Sequence, residues 1–458
     1  MSGLVMVLSA AACGSDDSSA DPAERTAGNS FDQVNLVASS ESYQARFTVP
    51  EMVNAWGIAI RPRGAGGHFW ITGGGSSHEF VGDVSSSPDP SLQRLFQDQL
   101  TTVTIPGTDA STEDSSIGKA TGVVFNGADI SSDAFRVSEQ PVRVDGRDVA
   151  LGGSARFIFA TDSGRIAAWG EQAADGSVVR ANGPAQEVFN GEAQGMQFFG
   201  LAIKQGSFDR LWAADFGTNP QIRQFDTAWR LMSTEGFANP FATGAPVDPA
   251  NPAKGSRPQP GDPVPFNITT VGQHVFVAYA LSQPAESLGP DGPVFDAGEE
   301  DSLDADEEQA VGNRPDKGKL AEFTSTGELV RVFDDQGRLN APWGVAIAPE
   351  GFGALAGKVL VSNFGGAGRI SVFDDTTGDY VDDLRDEAGK PVAIEGIWGI
   401  LFGNGESLGD ATALYFAAGP EEEVDGLFGA LHLPAELCSA VSLGQLQRGA
   451  LDGDRDPR

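Results

Sequence analysis

One short phrase occurs six times along the chain. "AWGIAI" (55–60), "ATGVVF" (120–125), "FFGLAI" (198–203), "PFNITT" (265–270), "PWGVAI" (342–347) and "IWGILF" (397–402) read as strands, with large and small residues alternating at period two. A second strand-like segment follows each: "HFWITG" (68–73), "RFIFATD" (156–162), "RLWAAD" (210–215), "HVFVAY" (274–279), "KVLVSN" (358–363) and "ALYFAAG" (413–419). Several continue into a third: "RIAAWG" (165–170), "IRQFD" (222–226), "LAEFTSTG" (320–327), "RISVFDDTTG" (369–378) and "GLFGAL" (426–431). A sheet this small cannot bury both faces alone, so each copy must pack on its neighbours. In Trp343-Gly344-Val345-Ala346-Ile347 one face is bulky and the other nearly bare. Such a strand can approach a neighbour closely on its bare side.

Six copies of three or four antiparallel strands predict an all-β chain, specifically a six-bladed β-propeller with four-stranded blades over 31–434. A ring needs a closure. The segment "FDQVNLVAS" (31–39) precedes the first repeat and has no blade of its own. It is expected to join the last blade as its outer strand beside "GLFGALHL", which removes a free sheet edge. The repeats begin 55 to 78 residues apart, whereas a bare blade needs roughly 40–50. The surplus falls in "SHEFVGDVSSSPDPSLQRLFQDQL" (77–100), "NPFATGAPVDPANPAKGSRPQPGDP" (239–263) and "FDAGEEDSLDADEEQAVGNRPDKG" (295–318), read as long rim loops. Residues 435–458 form a C-terminal tail.

Charge narrows the partners. Thirty Lys and Arg against 64 Asp and Glu give a net charge of −34, which repels phosphate backbones and argues against nucleic acid. The opening "MSGLVMVLSAAACGSDDSSADPAE" has a short apolar stretch, small residues, a Cys and then a polar tract. That order is the pattern of a bacterial lipoprotein signal, with residues 1–12 removed, Cys13 lipidated, and 13–30 an acidic tether. The expected address is extracytoplasmic, at the periplasmic or outer cell surface, with the membrane as a partner through the anchor. The other cysteine, Cys438, is read as a buried thiol.

The ordered motifs "VNAWGIAI", "FIFATDSGRIAAW", "LNAPWGVAIAP", "VSNFGGAGRISVFDDTTGDYV", "IEGIWGILFGN" and "LYFAAGPEEEVDGLFG" resemble NHL-type repeats. Together, over 31–432, they look like an uncharacterised family of exported bacterial propeller proteins. That resemblance implies the fold and no transferable activity or site residues.

Chemistry-bearing motifs are few. There are four histidines (68, 78, 274, 432), and no HExxH, Cys/His zinc spacing, haem motif or Walker loop. His68 and His274 open equivalent second strands, which makes them repeat equivalents first. The glycine runs at 73–75 and 365–368 precede no helix and read as loops. The acidic stretch 299–308 carries seven carboxylates without the spacing of an EF-hand loop, and reads as a solvated loop. Polar residues at strand ends near the expected axis are Asn54, Asp162, Asp215, Asn267 and Asn363. Oxygen donors from several blades would suit Ca²⁺; hydrogen bonding to turn backbones is the plainer role. The sequence therefore favours a binding or scaffold module for an unknown protein, glycan or small-molecule ligand. The alternatives are a Ca²⁺-assisted hydrolase or lyase of the lactonase-like type at the channel mouth and a purely structural envelope protein.

Overall fold

The computed structural model describes residues 28–109, 118–233, 235–288, 294–299 and 314–434. Cys13, Cys438, the leader, most of the tether, the C-terminal tail and most of the acidic stretch lie outside them. Among the described residues the chain is built from strands and short 3-10 turns. No helix there is long and apolar enough to cross a membrane.

Seven sheets form among the described residues, and six of them, I to VI, follow the copies of the repeated phrase along the chain. Sheet I comprises Ile58–Ala59, Phe69–Gly73, Ser76–Phe80 and Thr102–Thr104; sheet II, Ala120–Phe125, Phe157–Thr161, Arg165–Trp169 and Gln186–Asn190. Sheet III has three strands, Phe198–Ile203, Leu211–Asp215 and Gln221–Phe225. Sheet IV comprises Pro263–Val271, His274–Leu281, Gly318–Phe323 and Leu329–Val332; sheet V, Pro342–Ile347, Val359–Asn363, Ile370–Phe373 and Tyr380–Asp383. Sheet VI orders Ile397–Phe402, Leu414–Ala418 and Leu427–His432, then the early strand Asp32–Ala38 and the short Phe47–Thr48. Asp32–Ala38 runs antiparallel to Leu427–His432, with Gln33 opposite Leu431 and Val37 opposite Phe428. Phe47–Thr48 lies parallel beyond it.

The phrase repeated in the sequence supplies the first strand of each of sheets I to VI. These first strands touch in the order I to VI, and that of sheet VI touches that of sheet I. The apolar layers lie between consecutive sheets. Trp70, Val103, Phe157 and Phe159 fill the gap between I and II; Val345, Val359, Phe276 and Leu320 fill that between IV and V; Phe69, Ile71, Tyr415 and Phe428 fill that between VI and I. Alternation is what makes this work, because every strand presents one row of side chains to each neighbouring sheet.

The Gly of the phrase sets the spacing. A Cβ on Gly57 would lie 2.7 Å from the Thr121 carbonyl oxygen of sheet II, and one on Gly344 2.6 Å from that of Trp398 in sheet VI. A Cβ on Gly399 would lie 2.7 Å from the Trp56 carbonyl oxygen in sheet I. Each bare side thus faces the next sheet, and only hydrogen fits there. Backbone and short polar groups bridge the gaps: Gly57 N–H donates to Thr121 O (3.1 Å) and Gly399 N–H to Trp56 O (3.0 Å). Thr121 Oγ1 donates to Phe198 O (2.7 Å), and Ser362 Oγ to Trp398 O (2.5 Å).

Sheet III, with three strands in place of the expected four, and sheet VI, where Phe47–Thr48 lies outside the strand expected to be outermost, depart from the expected layout, and so do two segments. Residues 77–100 are not wholly a rim loop, since Ser76–Phe80 is the third strand of sheet I. Its Ser-His-Glu composition reads as solvated, yet both faces are covered by neighbouring sheets, so tertiary burial overrides composition. Residues 136–154 form an unforeseen hairpin, Arg136–Val144 with Arg147–Ser154, to which Gln172–Ala173 adds a third strand. Its turn is Asp145-Gly146, both at positive φ (47° and 77°), a tight hairpin signal visible in the sequence.

Candidate functional site

The residue preceding the Gly points to the axis. Register shifts occur at this dipeptide, for example between Phe198 and Gly200 and between Ile397 and Ile400, and a bulge of this kind redirects a side chain. Trp56, Phe199, Phe266, Trp343 and Trp398 consequently meet, with Phe216 and Phe364, in one aromatic cluster. Trp398 stacks between Trp56 and Phe364, with ring centroids 3.9 Å apart on each side. Its indole N–H donates to Asn54 Oδ1 (2.8 Å), and that of Trp343 to the Phe199 carbonyl (3.0 Å). Sheet II has Thr121 at this position. The start of the first strands is therefore filled by rings.

Past the rings, the ends of the same strands spread into a funnel of about 800 Å³. All six sheets contribute, through Ile58 and Ile60, Val123 and Phe125, Leu201 and Ile203, Ile268 and Thr270, Val345 and Ile347, and Ile400 and Phe402. Gln205, Asn267 and Thr269 add polar groups, and Arg61 is the single charged residue in the lining among the described residues. An apolar cavity of this size with few polar groups is the general form of a small-molecule site.

Each of the five strand-end residues makes hydrogen bonds of its own. Asp162 Oδ1 accepts from Lys119 N–H (2.6 Å), Asp215 Oδ1 from Gln197 N–H (3.0 Å) and Asn363 Oδ1 from Asn340 N–H (2.9 Å). In each of these sheets the end of the second strand thus ties down the residue just before the first strand, or the one ahead of it. Asp215 is fully buried and also pairs with Arg223 (2.7 Å). Burial nevertheless dominates and raises both Asp162 and Asp215 above the usual carboxylate range, with Arg223 pulling Asp215 the other way. Asn54, at φ 45°, holds the Trp398 indole and lies beside Glu423, a carboxyl that burial raises. Asn267 stands where the other sheets have Gly, and its Nδ2 donates to the Trp343 carbonyl of sheet V (2.8 Å). Among the described residues no three His, Cys, Asp or Glu are placed to hold one metal ion.

The two repeat-equivalent histidines each face one carboxylate. His68 is buried, with Nε2 2.9 Å from Asp98, and burial lowers its pKa despite that partner. His274 is half exposed, with Nδ1 2.6 Å from Glu322.

Sequence reasoning missed the aromatic filling and the funnel. The first had a signal, since an aromatic precedes the Gly or Asn in five of six copies. The second had none, because each strand supplies only two or three apolar residues of an ordinary kind.

No family model matches the chain. It is 27% identical over 401 residues to uncharacterized protein R648 of Acanthamoeba polyphaga mimivirus, covering 87% of this chain and 80% of that one. Uncharacterized protein L690 of the same virus is 33% identical over 177 residues, 39% of this chain and 40% of that one. Among solved structures, the WD40 β-propeller domain of Doa1 is similar at a TM-score of 0.37 and 9% identity, covering 90% of this chain and 96% of that one. A protein of unknown function from Bacteroides caccae is similar at 0.34 and 10% identity, covering 74% and 84%. Neither likeness adds to the fold, which rests on the strand pairing above.

Proposed function

We propose that the chain is a binding or scaffold module, a six-bladed NHL-like β-propeller closed by the Asp32–Ala38 strand, which takes its ligand in the apolar funnel. The six-sheet count and the closure are supported by the succession of first strands and by the pairing of Asp32–Ala38 with Leu427–His432. The observation that carries the binding reading is the lining itself. Six strands from along the chain converge on one apolar cavity, and among the described residues no carboxylate of this acidic protein lines it. A concave, largely apolar lining with a few polar groups is the usual form of a small-molecule recognition site. The neutral dye Nile red should bind with saturable fluorescence at one site per chain. Ile347→Trp, at the mouth, should weaken that binding at least tenfold. Non-saturable fluorescence, or an Ile347→Trp variant that binds as the native protein does, overturns the reading.

The second part of the proposal is the address: an exported protein held at the membrane by an acyl group on Cys13. It is supported by the order of small residues, Cys and acidic tract in the sequence alone. Expressed in a bacterial host with lipoprotein processing, the protein should fractionate with membranes, and Cys13→Ser should release it. Equal membrane association of the two would remove the anchor.

A further inference from the structure

We infer that the ligand of the funnel is a small amphipathic anion, with an apolar body among the strand ends and one carboxylate at Arg61. This deepens the funnel reading and rests on it.

The chain carries 64 acidic residues, yet the one charge in the funnel lining, among the described residues, is a guanidinium. Arg61 is 8% exposed and held in place from three sides. Its stem runs past Gly67, where a Cβ would lie 2.7 Å from Cδ. Its Nη2 donates to Glu171 (2.8 Å), and the guanidinium sits over the rings of Phe125 (5.6 Å) and Phe157 (5.7 Å). Phe125 itself lines the funnel.

Arg61 does not have its carboxylate to itself. Glu171 is shared with Arg180 at 3.7 Å, so it faces two guanidinium groups. A third, Arg156, is buried on the same Phe125 ring at 5.9 Å and donates to the Ala128 carbonyl (2.5 Å). Asp129 faces Arg156 and Asp98 faces Arg180, and each is also hydrogen-bonded, to Ser131 and His68. A carboxylate is the acceptor a guanidinium fork fits best. The rest of the lining offers aliphatic and aromatic contact, which calls for an apolar body. The volume, about 800 Å³, falls within the roughly 300–1,000 Å³ of small-molecule sites.

Displacement of Nile red by three ten-carbon probes tests this: decanoate, decanol and decyltrimethylammonium, each below its micelle concentration. Decanoate should displace the dye at a concentration at least tenfold lower than decanol, with the ammonium probe weakest. In Arg61→Gln/Glu171→Gln, which removes both charges of the pair together so that neither is stranded, the advantage of decanoate over decanol should vanish. Equal potency of decanoate and decanol on the native protein, or an advantage that survives in the double variant, overturns the anion assignment while leaving the funnel reading intact. Failure of Nile red and of every probe to bind removes the funnel reading as well. The ranking of probes on the native protein decides the matter even if the double variant does not fold.

Discussion

Gly344→Val is expected to cost more than about 3 kcal/mol of stability, or to prevent folding, although it adds only three carbons. The new Cβ would lie 2.6 Å from the Trp398 carbonyl oxygen, 2.7 Å from Ser362 Oγ and 2.9 Å from Ile400 N. Two of these are backbone atoms of the next sheet, so no rotamer change relieves the clash. Sheet V and sheet VI must separate, and separation breaks the hydroxyl bridge in which Ser362 Oγ accepts from Gly344 N–H (2.9 Å) and donates to Trp398 O (2.5 Å). Overpacking alone typically costs about 1–3 kcal/mol, and each buried polar group left unpaired about 1–3 more. The displacement has nowhere to go, because the first strand of sheet VI also touches that of sheet I, and moving it from V drives it into I. Gly152→Ala is the control: its Cβ would meet nothing nearer than 3.6 Å, and its effect should stay within about 1 kcal/mol. Denaturant titration of both variants decides it. A Gly344→Val protein with the native midpoint would mean that the first strands do not need to approach this closely.

That prediction rests on what was legible in the sequence. The aromatic-Gly phrase carries two instructions at once, a ring sent to the axis and a bare spot turned to the next sheet. Both are properties of adjacent residues, so repetition exposes them. Asn267 shows the limit of such reading. At the sequence level it is one of five polar candidates near the axis; in the fold it occupies the Gly position of sheet IV and spans to the Trp343 carbonyl with its own side chain. Asp162, Asp215 and Asn363 share strand-end positions because each ties down the backbone leading into a first strand, a structural need that repeats with the sheets. The funnel could not be read from the chain because it is a sum over six distant segments. Its charged residue is locally unremarked in "AIRP", and Glu171, which orients it, lies 110 positions away. The accessory hairpin is a different failure, since Asp145-Gly146 announced it and the repeat pattern drew attention elsewhere.

Glu79→Gln should stabilise the protein, by an amount that grows with pH. Glu79 lies in the third strand of sheet I, opposite Trp70 and facing sheet II, and is 0% exposed. No hydrogen bond of normal geometry reaches either carboxylate oxygen, although the Ser77 hydroxyl lies beside it and favours the charge somewhat. Burial dominates and holds its pKa well above the ordinary 4.5. The sign follows from proton counting. Below pH 4.5 the folded and unfolded chains both carry the proton, and the group adds no pH dependence. Above it the unfolded chain releases the proton while the folded chain keeps it, so stability falls by about 1.4 kcal/mol per pH unit until the raised folded pKa is reached. Glutamine, nearly the same shape, never incurs that loss. The melting temperature of the variant minus that of the native protein should therefore be near zero around pH 4.5 and rise with pH above it until the raised folded pKa is reached. For a chain this long each kcal/mol corresponds to on the order of 1 °C, so the gain is read as a difference in melting temperature that widens with pH. A difference that stays flat across that interval would mean that Glu79 is ionised in the fold, with a cationic partner between sheets I and II, and the dry packing of Trp70 against Phe157 and Trp169 would have to be redrawn around it.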